Sequence, residues 1–359
     1  MCTLLCLAAK HLSFLRPWVP QYSLAALQLL TESARLFRRN LSDPITPQNC
    51  DALVGTSVLM QYLAWSNLDF LSPEEKEEGS SNKNKNSHDP DLSVRHDPHD
   101  TRHMMDSARS GAGGGGGRGA GLDMSRDELF LLSPGVRTLF FAAMPVLLSE
   151  SSGSAFLSVV AHRPRWRIEQ AVQQHLRRMG VDDSNHDDGL GRLVARFTSL
   201  WDDVRYVGGG GGGGGGVEVS RGFGRGSDPA VAAGDEHAIS ACQLAAAKDA
   251  FEYIARSVAL VTLLCGGDDA ALGLLRQGRL NDDMARYFFT FPVLASGPFL
   301  DLARVGDGRA LVVLFHFYRA ARVWLTADEC WWASERSRVL ERLIWRELES
   351  RGLEVVHLG

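Results

Sequence analysis

The stretch from Gly308 to Trp345, GRALVVLFHFYRAARVWLTADECWWASERSRVLERLIW, constrains the fold more than any other part of the chain. Its first half, Ala310 to Leu325, is apolar on nearly every side, broken only by His316, Arg319 and Arg322. A helix apolar all round is buried on most faces, so this stretch predicts a central core helix. Arg319 and Arg322 are three residues apart on one side, which leaves one edge able to reach water. After a break at Thr326–Glu329, Cys330 leads into a Trp pair and a second, amphipathic helix with Val339, Leu340 and Leu343 inward.

What precedes it reads as helices as well. Met1–Phe14 is an apolar helix ended by Arg16-Pro17 and Pro20. Tyr22–Leu41 is amphipathic, with Leu24, Leu27, Ala34 and Phe37 at helical spacing and Arg35, Arg38 and Arg39 in its last turns, where cations favour the helix dipole. Thr46-Pro47 predicts a cap and first turn for a helix from Asn49 to about Leu68. Ser125 is the expected cap of Leu129–Leu132, with Ser133-Pro134 starting another helix through Leu148, kinked at Pro145. Helices follow over about Ala155–Met179, Leu190–Tyr206, Asp235–Cys265 and Ala270–Leu280, then a Tyr-Phe-Phe-Thr-Phe cluster within Asp282–Pro292. Period-two alternation is confined to Leu353–His357.

Two stretches break the pattern. From 71 to 125 the acidic, Asn/Ser-rich and glycine-rich runs hold too few apolar groups to bury. From 207 to 234 a nine-glycine run, Gly208–Gly216, leads into RGFGRGSDP. Both are expected to be disordered insertions. The fold class is therefore all-α, an array of α-hairpins made of N-terminal helices (1–70), middle helices (126–206) and C-terminal helices (235–359).

Composition excludes several function classes. A net charge of −5 argues against a nucleic-acid-binding surface dominating the chain, since such domains are basic. The cysteines (Cys2, Cys6, Cys50, Cys242, Cys265, Cys330) are scattered and read as free thiols of a reducing compartment, with no zinc spacing. Arginine and histidine interrupt each apolar run, so no membrane span is expected, and the start lacks the features of a signal peptide. No GxSxG, P-loop, HExxH or CxxC occurs.

Four clusters invite chemistry. His88, Asp89, Asp91, His96, Asp97, His99, Asp100 and His103 are competent metal ligands, but they lie in a stretch with no core to fix their geometry, so disorder is the better reading. Asp182, Asp183, Asp187 and Asp188 resemble the magnesium clusters of helical isoprenoid synthases. Here they sit in a linker without a second cluster, and a solvated loop is favoured. Arg118 and the RGFGRG at 221–226 are weak RNA-contact signals. His316 reads as a core histidine rather than a catalytic one.

The aromatic content near the C-terminus is more informative. The plain reading is core packing. The functional reading is an apolar ligand pocket between helices, built from Phe288, Phe291, Phe299, Leu311, Leu314, Phe315, Tyr318, Trp331 and Trp332.

Three segments carry a resemblance: LLCLAAKHLSFLRP with the Tyr-led helix after it, TPQNCDALVGTSVLMQYLAW, and GDGRALVVLFHFYRAARVW…CWWASERSRVLERL. In order and spacing they resemble the C-terminal regulatory half of fungal zinc-cluster transcription factors, in particular the sterol uptake control group. The likeness spans most of the chain outside the insertions. It implies a non-enzymatic helical domain, without cofactor, that regulates RNA polymerase II transcription in the nucleus, with shuttling from the cytoplasm. The implied partners are a sterol-like apolar molecule, a second copy or a transcriptional co-regulator. The zinc cluster with its six closely spaced cysteines and basic linker is missing from this sequence, so no DNA contact of its own is expected. The alternatives are a ligand-independent helical interaction scaffold and, ranked lower, an α-helical magnesium-dependent enzyme.

Overall fold

The computed structural model describes residues 1–71, 122–149, 153, 154, 156, 164–178, 189–206, 241–265, 279–326 and 330–355. These residues form eleven α-helices and no strand, so the fold is all-α as the sequence predicts. In order they are α1 (Cys2–Leu15), α2 (Pro20–Leu41), α3 (Cys50–Trp65), α4 (Glu128–Leu147), α5 (Pro164–Arg178), α6 (Gly189–Ser199), α7 (Ala241–Cys265), α8 (Arg279–Leu294), α9 (Pro298–Arg304), α10 (Gly308–Trp324) and α11 (Trp331–Ser350).

Helix α10 is the axis. Every residue from Gly308 to Tyr318 is buried, and only Arg319 and Arg322 reach the surface. Asp307 caps it, accepting from the backbone N–H of Arg309 at 2.9 Å, a bond that satisfies one of the orphan donors at a helix start. Arg309 folds back onto that carboxylate at 2.6 Å and lies over the Trp201 ring at 4.0 Å. Gly308 is required by close approach: a Cβ there would stand 2.7 Å from Leu353 and 2.9 Å from the carbonyl of Tyr206. Helices α7, α8, α9 and α11 pack around α10, and α11 runs on to meet α3. Arg322 pairs across to Glu341 on α11.

Several expected boundaries move, each for a tertiary reason. The turn at Thr46–Asn49 stays outside α3: the Thr46 N–H donates to the Asn49 side chain at 2.8 Å, and the helix starts at Cys50. Pro134 does not start a helix but sits inside α4. Proline removes the N–H that would reach the carbonyl four residues back. That carbonyl belongs to Phe130, and Arg304 of α9 donates to it at 3.1 Å. Asp127, not Ser125, caps α4. The ordered core also reaches into the range expected to be disordered, since Leu71, Leu122 and Met124 are buried. Residue 355 is the last described, and 353–355 form no strand.

Only part of the expected inward face of α2 turns inward, with Ala34 and Phe37 half-buried. Leu24 and Leu27 are 57% and 61% exposed, while Ala26 and Ser33 are buried. The small side chains let α1 and α2 approach, with the Cys6 thiol donating to the Ala26 carbonyl at 3.2 Å and Thr3 bonded to Ser33 at 2.5 Å. Helix α4 is the one described helix long and apolar enough to cross a membrane. Leu129, Phe130, Val136, Leu139, Ala143 and Leu147 of this helix pack against α3 and α8 among others, and 33% of its apolar stretch is buried.

The histidine–aspartate run of 88–103, the aspartates of 182–188, Arg118, RGFGRG and nearly all of the expected 270–280 helix lie outside the described residues.

Candidate functional site

Helices α3, α8, α10 and α11 converge on a nest of rings. Phe291 and Phe317 stack face to face with centroids 3.7 Å apart. Phe288 lies 5.6 Å from Phe317, and Tyr318 5.1 Å from it. Trp65 closes the α3 side, edge-on to Phe289 at 5.7 Å and 6.3 Å from Phe317. Tyr62 and Trp332 complete the wall against Phe289, at 5.0 and 5.9 Å. Apart from the closer Phe291–Phe317 stack, ring pairs at these separations and tilts are attractive contacts. Phe288, Phe291, Phe317 and Tyr318 are each 0% exposed.

The nine residues proposed from sequence divide into groups. Phe288, Phe291 and Tyr318 share the nest, and Trp332 lies on its rim. Leu311 and Leu314 are buried in the same core cluster. Phe299 faces Phe251 of α7 at 6.3 Å, and Phe315 faces Trp345 of α11 at 5.6 Å, so these two line separate contacts. Trp331 stays edge-on to Trp332 at 5.7 Å but packs mainly on α1, with His11 at 4.9 Å and Phe14 at 5.1 Å. Tyr62 and Trp65, both from α3, are the ring partners the C-terminal sequence could not supply.

Beside the nest lies a buried ion pair that sequence reasoning missed. Arg336 of α11 and Asp127 at the start of α4 are both 0% exposed in their side chains and bond directly. Arg336 also donates to the Asn67 carbonyl at 2.8 Å, at the end of α3, and its guanidinium lies 5.3 Å from the Phe70 ring. One side chain thus ties α3, α4 and α11. Burial pushes the Asp127 carboxyl up, opposed by Arg336 and by the backbone amides of Leu129 and Phe130. The Arg336 guanidinium is itself disfavoured by burial, but Asp127 and the Tyr318 hydroxyl outweigh that and raise its pKa. Burial likewise raises the Tyr318 and Tyr287 hydroxyls well above the ordinary phenol range. The readable signal was Arg336 itself, an arginine four residues before Leu340 and seven before Leu343, on the buried stripe of an amphipathic helix.

His316 is 1% exposed and meets Phe197 edge-on at 5.0 Å, a core position like that expected. Gln61 of α3 donates to the Phe289 carbonyl at 3.1 Å, close to the break Pro292 makes in the α8 hydrogen-bond ladder. Among the described residues no three His, Cys, Asp or Glu side chains stand together as metal ligands.

A hollow lies elsewhere. A cleft of about 330 Å³ opens between the start of α1, the second half of α2 and the start of α3, lined by Leu36, Phe37, Asn40, Asp43, Leu53 and Thr56 among others. No protein-family model, curated protein or solved structure matches this chain.

Proposed function

We propose that this chain is a helical regulatory domain of the kind found in fungal zinc-cluster transcription factors. It acts in the nucleus on RNA polymerase II transcription, without DNA contact of its own, and through protein contacts rather than catalysis. One observation carries the reading. The three stretches that bear the resemblance lie up to about 300 residues apart, yet they meet in space. Trp331 at the head of α11 packs on His11 and Phe14 of α1. Five residues on, Arg336 bonds to the carbonyls that end α3. Resemblance confined to a shared helical composition would not require those stretches to touch.

The filled ring nest favours a regulator worked by protein contact over one worked by a sterol held between α8, α10 and α11. A second reading, an apolar-ligand sensor, would have to use the cleft between α1, α2 and α3, half of whose lining is polar (Thr3, Ser33, Asn40, Asp43, Asn49 and Thr56). Its volume lies at the small end of the range for ligand pockets, about 300–1,000 Å³.

The test is a reporter assay with the full chain fused to an unrelated DNA-binding domain. The expected result is a change in reporter output of at least several-fold, abolished by Trp331→Asp at equal protein level. Output identical to the DNA-binding domain alone, in cells where the fusion is folded and nuclear, would remove the proposal. Salt-dependent DNA binding by the unfused chain, with a slope implying several phosphate contacts, would overturn its second half.

A further inference from the structure

Helix α1 is as apolar as the core helices, yet it leaves a leucine strip in solvent. Met1, Leu4, Leu5, Leu12 and Leu15 are 87, 53, 49, 38 and 53% exposed, and Ala8 between them is exposed too. At 3.6 residues per turn these six positions fall within a sector of about 100°. Thr3, Cys6 and Ala9 are the buried residues of α1, and Thr3 and Cys6 bond to α2, so α2 does not cover the strip.

The spacing says what kind of partner fits. Positions 1, 5, 8, 12 and 15 step by four, three, four and three, the seam of a helix that packs on another helix. The strip also reads nearly the same in both directions, large–large–small–large–large with Ala8 at its centre. A pattern symmetric about a small central residue suits a two-fold contact, where one patch meets its own copy. With Trp18 (75% exposed) in the turn that follows, the exposed side chains amount to roughly 700 Å², taking a fully exposed Trp as about 250 Å² and a Leu as somewhat less. That approaches the ~800 Å² per partner of a standard interface and exceeds the ~300–600 Å² patch common on monomers.

Symmetry about Ala8 sets the direction, since only an antiparallel pairing lays the strip on its own reverse. The basic side chains on and just after α1 are Lys10, His11 and Arg16, with no acid. A parallel pairing would put Arg16 beside Arg16. An antiparallel pairing sets them about 24 Å apart at 1.5 Å per residue, beyond the ~8–10 Å screening length.

We propose that α1 is a homodimer seam: two copies of the chain pair through antiparallel α1 helices crossing at Ala8, with Leu5 of each against Leu12 of the other. The inference does not depend on the transcriptional reading.

The test is sedimentation equilibrium of the full chain over a dilution series through the micromolar range, with two paired variants. Leu5→Asp/Leu12→Asp lies in the seam. Leu24→Asp/Leu27→Asp is equally exposed but on α2. The expected result is a dimer for the wild type and for the α2 variant, and a dissociation constant raised more than about a hundredfold for the seam variant, with its helical circular dichroism unchanged. Should the seam variant lose its helical signal, Ala8→Glu at the crossing point serves instead, with the same expectation. A wild type monomeric throughout, a dimer that survives the seam substitutions, or a monomer that instead floats with anionic lipid vesicles would each overturn the proposal.

Discussion

Helices α1 and α3 are similarly rich in apolar residues, and the fold treats them in opposite ways. Helix α3 lies between α4 and α11 and buries Leu53, Val54, Leu63 and Trp65. Helix α1 buries only Thr3, Cys6 and Ala9 and leaves four leucines in solvent. The difference does not come from hydrophobic content, which drives burial without direction. It goes with the reach of the polar contacts each helix makes. The end of α3 is held by Arg336 through the Ala64 and Asn67 carbonyls, and Gln61 holds its buried side to α8. Helix α1 packs along α2, with hydrogen bonds at Thr3 and Cys6, and meets α3 and the half-buried Trp331. The ring nest is over-determined; the N-terminal hairpin is a lightly fastened flap with apolar surface to spare.

Substitutions sharpen that contrast. The largest effect is expected from Arg336→Met, which strands a buried carboxylate at Asp127 and should cost about 3–5 kcal/mol in chemical denaturation. A cost under about 1 kcal/mol would mean the pair does not organise α3, α4 and α11. Adding Asp127→Leu to Arg336→Met should recover part of the loss, because an apolar pair of similar volume avoids the desolvation cost.

Alkaline pH gives an intermediate effect on the nest. Both Tyr287 and Tyr318 are buried, which holds their phenols protonated in the fold. Below about pH 10 tyrosine is neutral in folded and unfolded chains alike, so neither residue makes stability depend on pH. Above it the unfolded phenols ionise while the buried ones keep their protons, and stability falls by up to about 1.4 kcal/mol per pH unit for each. A spectrophotometric titration should therefore show Tyr287 and Tyr318, at least, among the six tyrosines ionising only with unfolding. Titration of all six in the folded chain would show that the nest admits water.

The smallest effect belongs to the hairpin. Leu24→Ser, at a site more than half exposed, should change stability by less than about 0.5 kcal/mol. A loss of about 2 kcal/mol or more would mean that α2 buries this leucine in solution and that the hairpin is not a flap.

The same contrast decides how much was legible in the sequence. The helix pair α10–α11 was readable because an all-round apolar run has only one way to be satisfied, and its ends were marked by Asp307-Gly308 and Cys330. The all-α class followed from the same periodicities. What failed was anything set by contacts remote in sequence. Leu24 and Leu27 have helical spacing, but whether they or Ala26 and Ser33 face α1 depends on how closely two helices approach. Pro134 looks like a helix start unless Arg304, 170 residues later, is known to satisfy Phe130. The candidate pocket was legible only as a concentration of rings. That Trp65 and Tyr62 come from α3 to fill it, while Trp331 turns away to α1, is a matter of topology.

The central claim is that the ring nest is filled by its own side chains. It is tested most directly by following thermal unfolding of the full chain against increasing concentrations of sterols. The account predicts an unmoved midpoint for any sterol, and a loss of about 3–5 kcal/mol for Phe317→Ala, which removes the ring stacked on Phe291. A saturable rise following mass action, reaching about 2.7 kcal/mol at a hundredfold excess over Kd and lost in Phe317→Ala, would contradict it and make the nest a ligand site.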